Sequence, residues 1–294
     1  MPPTLAPGSP ATGSPAPATS APATATRPTL DCLIREPAEV YHAKASANLS
    51  SHALADFRRC PLLYRRKQLG LIEDRDSPAY LVGRAAHTLV LEGRAQFDAE
   101  YVVGGPINEK TGKPYGANTK AFAEWAAAQN RAVLTDDQAA TVERMAASVA
   151  DHAEAQALLE AGVAEGVVRV VYRDHPCQAR IDWLNPAPRI VDIKTCDDLD
   201  WFESDARRFG YVHQLAFYRG VLAIGADVGV TDLPVHIVAV EKKEPFRVGV
   251  WRVGQDVLAI AQQDNEQAMA RLRHCIATDT WPTGYEQPRI FDHL

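Results

Sequence analysis

The sequence specifies an α/β fold, with a mixed central β-sheet of about five strands flanked by helices. Three observations predict it. Polar and apolar residues alternate through 178–184 and again through 189–195, on either side of Asn185-Pro186-Ala187-Pro188, which reads as two consecutive strands joined by a turn. Apolar strand-like runs recur at 165–172, 235–240 and 246–253. Segments of helical period precede, separate and follow them, so the order is helices, three strands, helix, two strands, helix.

A chain of 294 residues holds one large domain or two small ones, and a hydrophobic fraction of 46% supports a substantial core. The net charge of −6 gives no global basic field for nucleic acid, so any DNA contact must come from local patches. The five cysteines (Cys32, Cys60, Cys177, Cys196, Cys275) contain no C-x-x-C pair. That argues against a disulfide framework or a zinc ribbon and fits a reducing, cytoplasmic location. No apolar run approaches a membrane span, and no charged n-region with an apolar h-region opens the chain.

In chain order, residues 1–28 are almost entirely Pro, Ala, Thr, Ser and Gly, a composition that cannot bury enough apolar area to offset ordering. They read as a disordered tail, with 29–294 as a single domain ordered from near Tyr41. Ser50 or Ser51 is the N-cap of a first helix. Leu54, Phe57 and Pro61-Leu62-Leu63-Tyr64 form its apolar side, and Arg58, Arg59, Arg65, Arg66 and Lys67 its basic side. The basic side is either a solvated face or a phosphate-contacting patch.

Residues 78–92 read as a second helix, with Pro78 in its first turn and Gly93 just past its end. Gly83 and Ala86 would let it approach the sheet closely, and His87 shares a side with Gly83 and Leu91. Alone, such a histidine is more often a hydrogen-bonded core residue than a ligand. Residues 103–119 form a polar Gly/Pro-rich loop with Lys110 and Lys113, and Lys120 follows. Thr135-Asp136-Asp137-Gln138 is a capping box that opens a long helix to about Leu159.

The chemistry concentrates on the two strands around the Pro-rich turn. Asp192 and Lys194 point the same way and Ile193 the other, because strand side chains alternate. A hairpin brings Asp182 beside them. Two carboxylates and a lysine make a site for a hard cation such as Mg²⁺, which takes a few carboxylates and keeps waters and phosphate oxygens. Asp192 and Lys194 also interrupt an apolar run, Ile190-Val191-x-Ile193, where charge is costly unless paired or metal-bound. Glu165 either faces solvent or leans into this cluster. Gln214 and Tyr218 share a helix face at i and i+4.

Glu165, Arg180-Ile181-Asp182, Val191-Asp192-Ile193-Lys194-Thr195 and Gln214-x-x-x-Tyr218, in this order, resemble the PD-(D/E)XK nuclease superfamily. Gly83-Arg84-Ala85-Ala86-His87 is similar to the histidine motif of its RecB-like branch. The layout, including the 135 helix and Trp281-Pro282-Thr283-Gly284-Tyr285, looks most like the C-terminal nuclease domain of the RecE exonucleases (exonuclease VIII). The resemblance covers roughly residues 49–285. It implies a restriction-endonuclease-like core, with His87, Asp182, Asp192 and the Ile193 carbonyl as metal ligands. It further implies that Lys194 orients or activates the attacking water and neutralises developing charge, Glu165 assists at a second metal, and Gln214 and Tyr218 position the scissile strand.

The implied activity is a Mg²⁺-dependent DNA exonuclease, 5′→3′ on linear double-stranded ends, in recombination or phage DNA processing, with Mn²⁺ able to substitute. A RecT-like single-strand annealing protein is the implied partner, and a homo-oligomer such as a ring tetramer the implied assembly. The alternatives are a non-catalytic DNA-binding or protein-binding module of the same fold, and a structure-specific endonuclease. Two positions depart from the family pattern. Ile181-Asp182 stands where Pro-Asp is usual, a common variation. Cys60-Pro61 looks like the first cluster cysteine of the iron–sulfur members, but the C-terminal cysteine triplet is missing, so no iron–sulfur cluster is expected.

Overall fold

Five strands form the central sheet in the order of the chain: β1 (Val163–Tyr172), β2 (His175–Asn185), β3 (Arg189–Cys196), β4 (Val235–Glu241) and β5 (Val248–Arg252). The computed structural model describes residues 32–72, 78–185 and 189–291. The 1–28 tail and turn residues 186–188 lie outside them. All neighbouring strands are antiparallel except β3 and β4. Arg173 and Asp174, both at positive φ (48° and 64°), make the two-residue turn between β1 and β2, a geometry matched to strand twist. The parallel β3–β4 pair needs a crossover, and the helical segment between them supplies it.

The helices that matter for the site are α1 (Ser51–Arg59), α2 (Pro61–Gln68), α3 (Pro78–His87), α4 (Asp136–Asp151), α5 (Ala153–Leu159), α6 (Phe202–Phe209), α7 (Tyr211–Gly225) and α8 (Gln255–Thr278). On one face of the sheet, Leu54 and Phe57 of α1, Leu215 and Val221 of α7, and Leu258 and Leu272 of α8 bury Ile181, Ile190 and Ile237. On the other face, Ala85 and Ala86 of α3 and Val142, Met145 and Val149 of α4 cover Val191, Ile193, Val238 and Val240. β3, β4 and β5 thus contribute alternate residues to two apolar layers, the arrangement expected for a sheet covered on both sides. Among the described residues no helix is long and apolar enough to cross a membrane.

Several boundaries follow the sequence. The Ser50 hydroxyl accepts the Ala53 N–H at 3.2 Å and caps α1. Both halves of the Thr135–Gln138 capping box form. Three boundaries differ. The basic stretch is two helices, not one, because Pro61 forces Cys60 out of the helical region (φ −164°, ψ 111°). The Cys60 Sγ then accepts the Leu63 N–H and caps α2. The long helix from Asp136 stops at Asp151, where His152 turns extended and caps α5 through its Nδ1. The 103–119 loop contains a short hairpin, Ile107–Asn108 against Lys113–Pro114.

Candidate active site

β2 and β3 pair at Asn185↔Arg189, Leu184↔Ile190 and Trp183↔Val191, and there the pairing stops. Asp182 and Asp192 would form the next pair. Instead the Ile193 N–H donates to Asp182 Oδ2 at 2.9 Å, a side chain standing in for a backbone acceptor. β3 remains paired with β4 as far as Cys196, and β2 remains paired with β1. The two strands therefore part like a fork. The edge that β2 loses is taken by Leu49, whose N–H donates to the Pro176 carbonyl and whose carbonyl accepts the Gln178 N–H. This anchor sets the start of α1 against the fork.

The β1–β2 ladder is also interrupted at this level. Ala164↔Trp183 and Gly166↔Ile181 are partners, but Glu165 and Asp182 between them are not. Glu165 sits at φ 54°, in the left-handed region. For a non-glycine residue this stores roughly 1–3 kcal/mol and is concentrated at functional sites. The alternation of both strands slips here. Ala164 and Trp183 pack on the α3–α4 layer, whereas Val168 and Ile181, of the same parity, pack on the opposite one. Simple period-two reasoning fails at the residues that carry the charge.

α3 delivers the histidine. A Cβ on Gly83 would already touch the Thr195 hydroxyl at 3.4 Å, so a larger side chain would push the helix off β3. The helix then widens into a π-helical turn, Thr88–Glu92, ended by Gly93 at φ 84°. Such turns are frequent at functional sites. His87, the last α-helical residue, has its Nδ1 3.5 Å from Asp182 Oδ2. His87, Glu165 and Asp182 each offer one ligand atom, all within 4.8 Å of one another. Glu165 therefore leans into the cluster, and its Oε2 lies 2.9 Å from Arg180 Nε.

Asp192 lies beside this trio but faces the lysine. It is 1% exposed, the Lys194 ammonium rests on its Oδ2, and its Oδ1 has no hydrogen-bond partner among the described residues. The Tyr211 ring, 5.0 Å from Lys194 Nζ, covers the ammonium from α7. Gln214 Nε2 donates to the Tyr218 hydroxyl at 2.9 Å, and this pair borders the site on the same helix. The sequence-expected residues His87, Glu165, Asp182, Asp192, Ile193 and Lys194 thus gather at one fork. Arg180 and Tyr211 were not singled out there. Arg180 was legible only as a polar neighbour of Asp182, and nothing local marked Tyr211.

Burial governs the protonation states. It pushes the Glu165 carboxyl up to about 8, with the Asp182 charge adding to it, and raises Asp182 itself. Burial also raises Asp192, to about 6, against the pull of Lys194. The same burial, with the Lys194 charge, holds His87 down to about 4, although a backbone hydrogen bond to Ile193 works the other way. That bond favours the imidazolium, so its acceptor is the Ile193 carbonyl, which points into the fork. Lys194 is raised: burial opposes its charge, but Asp192 and Asp182 outweigh it.

Three carboxyls held above their ordinary values, one of them with an unsatisfied buried oxygen, and a neutral imidazole form an excess of acceptors. This N/O donor set fits a hard divalent cation, whose charge would relieve the crowding.

The family described as a PDDEXK-like domain of unknown function (DUF3799) matches residues 50–293. No curated protein matches the chain. The fold is similar to the crystal structure of a protein from Eubacterium rectale named as a candidate exonuclease, with a TM-score of 0.63 and 16% sequence identity. The likeness covers 89% of this chain and 96% of that one.

Proposed function

We infer that this chain, which belongs to the PDDEXK-like family, is a Mg²⁺-dependent deoxyribonuclease that hydrolyses phosphodiester bonds at the ends of linear duplex DNA. The single observation that carries the reading is the fork. Asp182, Asp192, Glu165, His87 and Lys194 converge where two central strands stop pairing. Family membership and the exonuclease-named fold neighbour support a nuclease.

The residues that would hold the cation are His87, Asp182, Asp192 and the Ile193 carbonyl, with Glu165 at a second position. A divalent cation held there would polarise the phosphate and lower the pKa of the attacking water. The protein groups do the rest. The Ile193 N–H fixes one oxygen of Asp182, leaving the other oxygen for a ligand. Arg180 holds Glu165 in its left-handed bend. His87, neutral at pH 7, presents a lone pair without adding a negative charge. Lys194 carries its proton at neutral pH and stands where it can orient the attacking water and neutralise charge developing on the phosphate. Gln214 and Tyr218 position the scissile strand from α7.

The layout resemblance to the RecE domain favours 5′→3′ digestion, a recombination or phage role, a RecT-like annealing partner and a homo-oligomeric ring. On this reading residues 1–28 are dispensable and 29–294 suffice for cleavage. The deciding experiment digests end-labelled linear duplex beside covalently closed circular DNA, with and without Mg²⁺. Loss of linear DNA alone, only with Mg²⁺, is expected. Equal attack on the closed circle would make it an endonuclease, and no cleavage of either would leave a binding module.

A further inference from the structure

A row of aromatic rings runs from the core to the mouth of the fork. Trp251 of β5 packs on Phe202 with centroids 4.5 Å apart, and Phe202 packs on Tyr211 at 6.2 Å. Tyr211 stacks on Phe209 at 5.9 Å with an interplanar angle of 29°. The inner rings are buried or half-buried, but Phe209 is 58% exposed. The row therefore ends in solvent. Gly210 makes the last step. At φ 72° it ends α6 and begins α7, setting the side chains on either side of it next to each other. Most other residues there would be strained.

A single exposed aromatic is ordinary on a protein surface. This one differs in its surroundings. The ring behind it, Tyr211, is the ring that covers Lys194. Arg208 places its guanidinium 5.5 Å from the Phe209 centroid. Arg58 of α1 comes within 3.4 Å of where a Cβ on Gly210 would stand. An aromatic face flanked by guanidinium groups, one ring away from a lysine, is the combination that holds single-stranded nucleic acid: stacking for the base and cations for the backbone.

We propose that Phe209, backed by Tyr211, is a stacking platform for the nucleobase next to the phosphate that Lys194 engages. The proposal rests on the nuclease reading and adds a positioning residue to it. The platform holds an unpaired base, so the terminal base pair opens before the phosphate reaches the fork. Stacking tolerates every base, which suits digestion without sequence preference.

The test uses short linear duplexes carrying an abasic residue at each of the three terminal nucleotides of either strand. Base–aromatic stacking is worth about 1–3 kcal/mol, or roughly 5- to 150-fold. For the wild-type protein, kcat/KM should fall within that range at one abasic position. Phe209→Ala should lose a comparable factor on intact duplex and nothing further at that position, and Phe209→Trp should recover the intact rate. Equal wild-type rates on intact and abasic duplexes, or a Phe209→Ala protein as sensitive to the missing base as wild type, overturns the platform.

A second readout does not need turnover. With Ca²⁺ in place of Mg²⁺, a terminal 2-aminopurine should be quenched on binding the wild type and not on binding Phe209→Ala; equal quenching overturns the platform. Absence of cleavage with quenching intact would instead overturn the nuclease reading. Phe209 is largely exposed, so its variants should melt as the wild type does.

Discussion

The two ends of the β2–β3 hairpin are built from adjacent residues of the same strands, yet they do opposite things. At the closed end, Leu184 and Ile190 are paired through the backbone and wholly buried in the layer under α7 and α8. One further pair along, the ladder ends, and Asp182 and Asp192 occupy the gap. Apolar burial holds the first end together without directional demands. The second end gives up backbone hydrogen bonds and fills the opening with groups that are costly to bury: two aspartates, a lysine, and a glutamate in a strained conformation. Stability and chemistry are thus divided along one hairpin, about two residues apart. The division can be broken by mutation at either end.

The largest effect belongs to the open end. Asp192→Ala and Lys194→Ala should each lower cleavage of linear duplex by at least about 10²–10³-fold, the cost of removing one preorganised electrostatic group. Far-UV circular dichroism should stay that of the folded protein, because Lys194 lies near the mouth and can reach water. Rates near wild type in either variant would remove the proposed site.

At the closed end the expectation inverts. Leu184→Ala deletes fully buried methyl groups and should cost about 2–5 kcal/mol in denaturant unfolding. Cleavage per folded molecule at saturating Mg²⁺ should remain within a few-fold of wild type. A deep loss of activity in a protein that is still folded would mean the two ends are not separable.

His87→Ala sharpens the comparison, since His87 belongs to the fork but arrives from a helix. Its expected effect is weaker metal binding by at least about tenfold, in line with the cost of disturbing a metal's immediate surroundings, with a reduced rate. The melting temperature in EDTA should barely change. A large drop in metal-free melting temperature with normal cleavage would make His87 a packing residue.

The closed end was legible in the sequence and the open end only partly so. Alternation in 178–184 and 189–195 gave both strands and set Asp182 beside Asp192, because apolar period is a local signal. The five strands and the capping of the first helix and of the Thr135 helix followed from equally local rules. The slip at Glu165 was not legible. A glutamate at positive φ breaks the alternation that predicts the strand, and nothing in its neighbours marks it. Nor was the aromatic cover on Lys194, since Tyr211 reaches it from a helix that follows an intervening loop and helix. The break between α1 and α2 was legible in principle, because Pro61 restricts Cys60, but the apolar pattern running across it masked the signal.

The smallest expected effect is a slope. Glu165 ordinarily ionises near 4.5, and in the folded, metal-free protein near 8. The folded state therefore holds that proton more tightly than the unfolded chain does. Its contribution to stability is complete below about 4.5 and is lost as pH rises through 8. Asp192, raised to about 6, follows the same direction but finishes earlier. His87, lowered from 6.5 to about 4, works oppositely and only below 6.5, and the lowered His42, His52, His213 and His236 do likewise. From pH 7 to 8.5 the histidines are neutral in both states and Asp192 is ionised in both. Glu165 then dominates the slope. In EDTA the melting temperature should fall by a few degrees over that interval. Glu165→Gln, which keeps the shape and removes the titration, should flatten it. Mg²⁺ needs the ionised carboxylate, so the gap between melting temperatures with Mg²⁺ and with EDTA should widen with pH in the wild type and much less in Glu165→Gln. A gap independent of pH in the wild type would mean that Glu165 takes no part in holding the cation, leaving His87 and Asp182 to do so with Asp192.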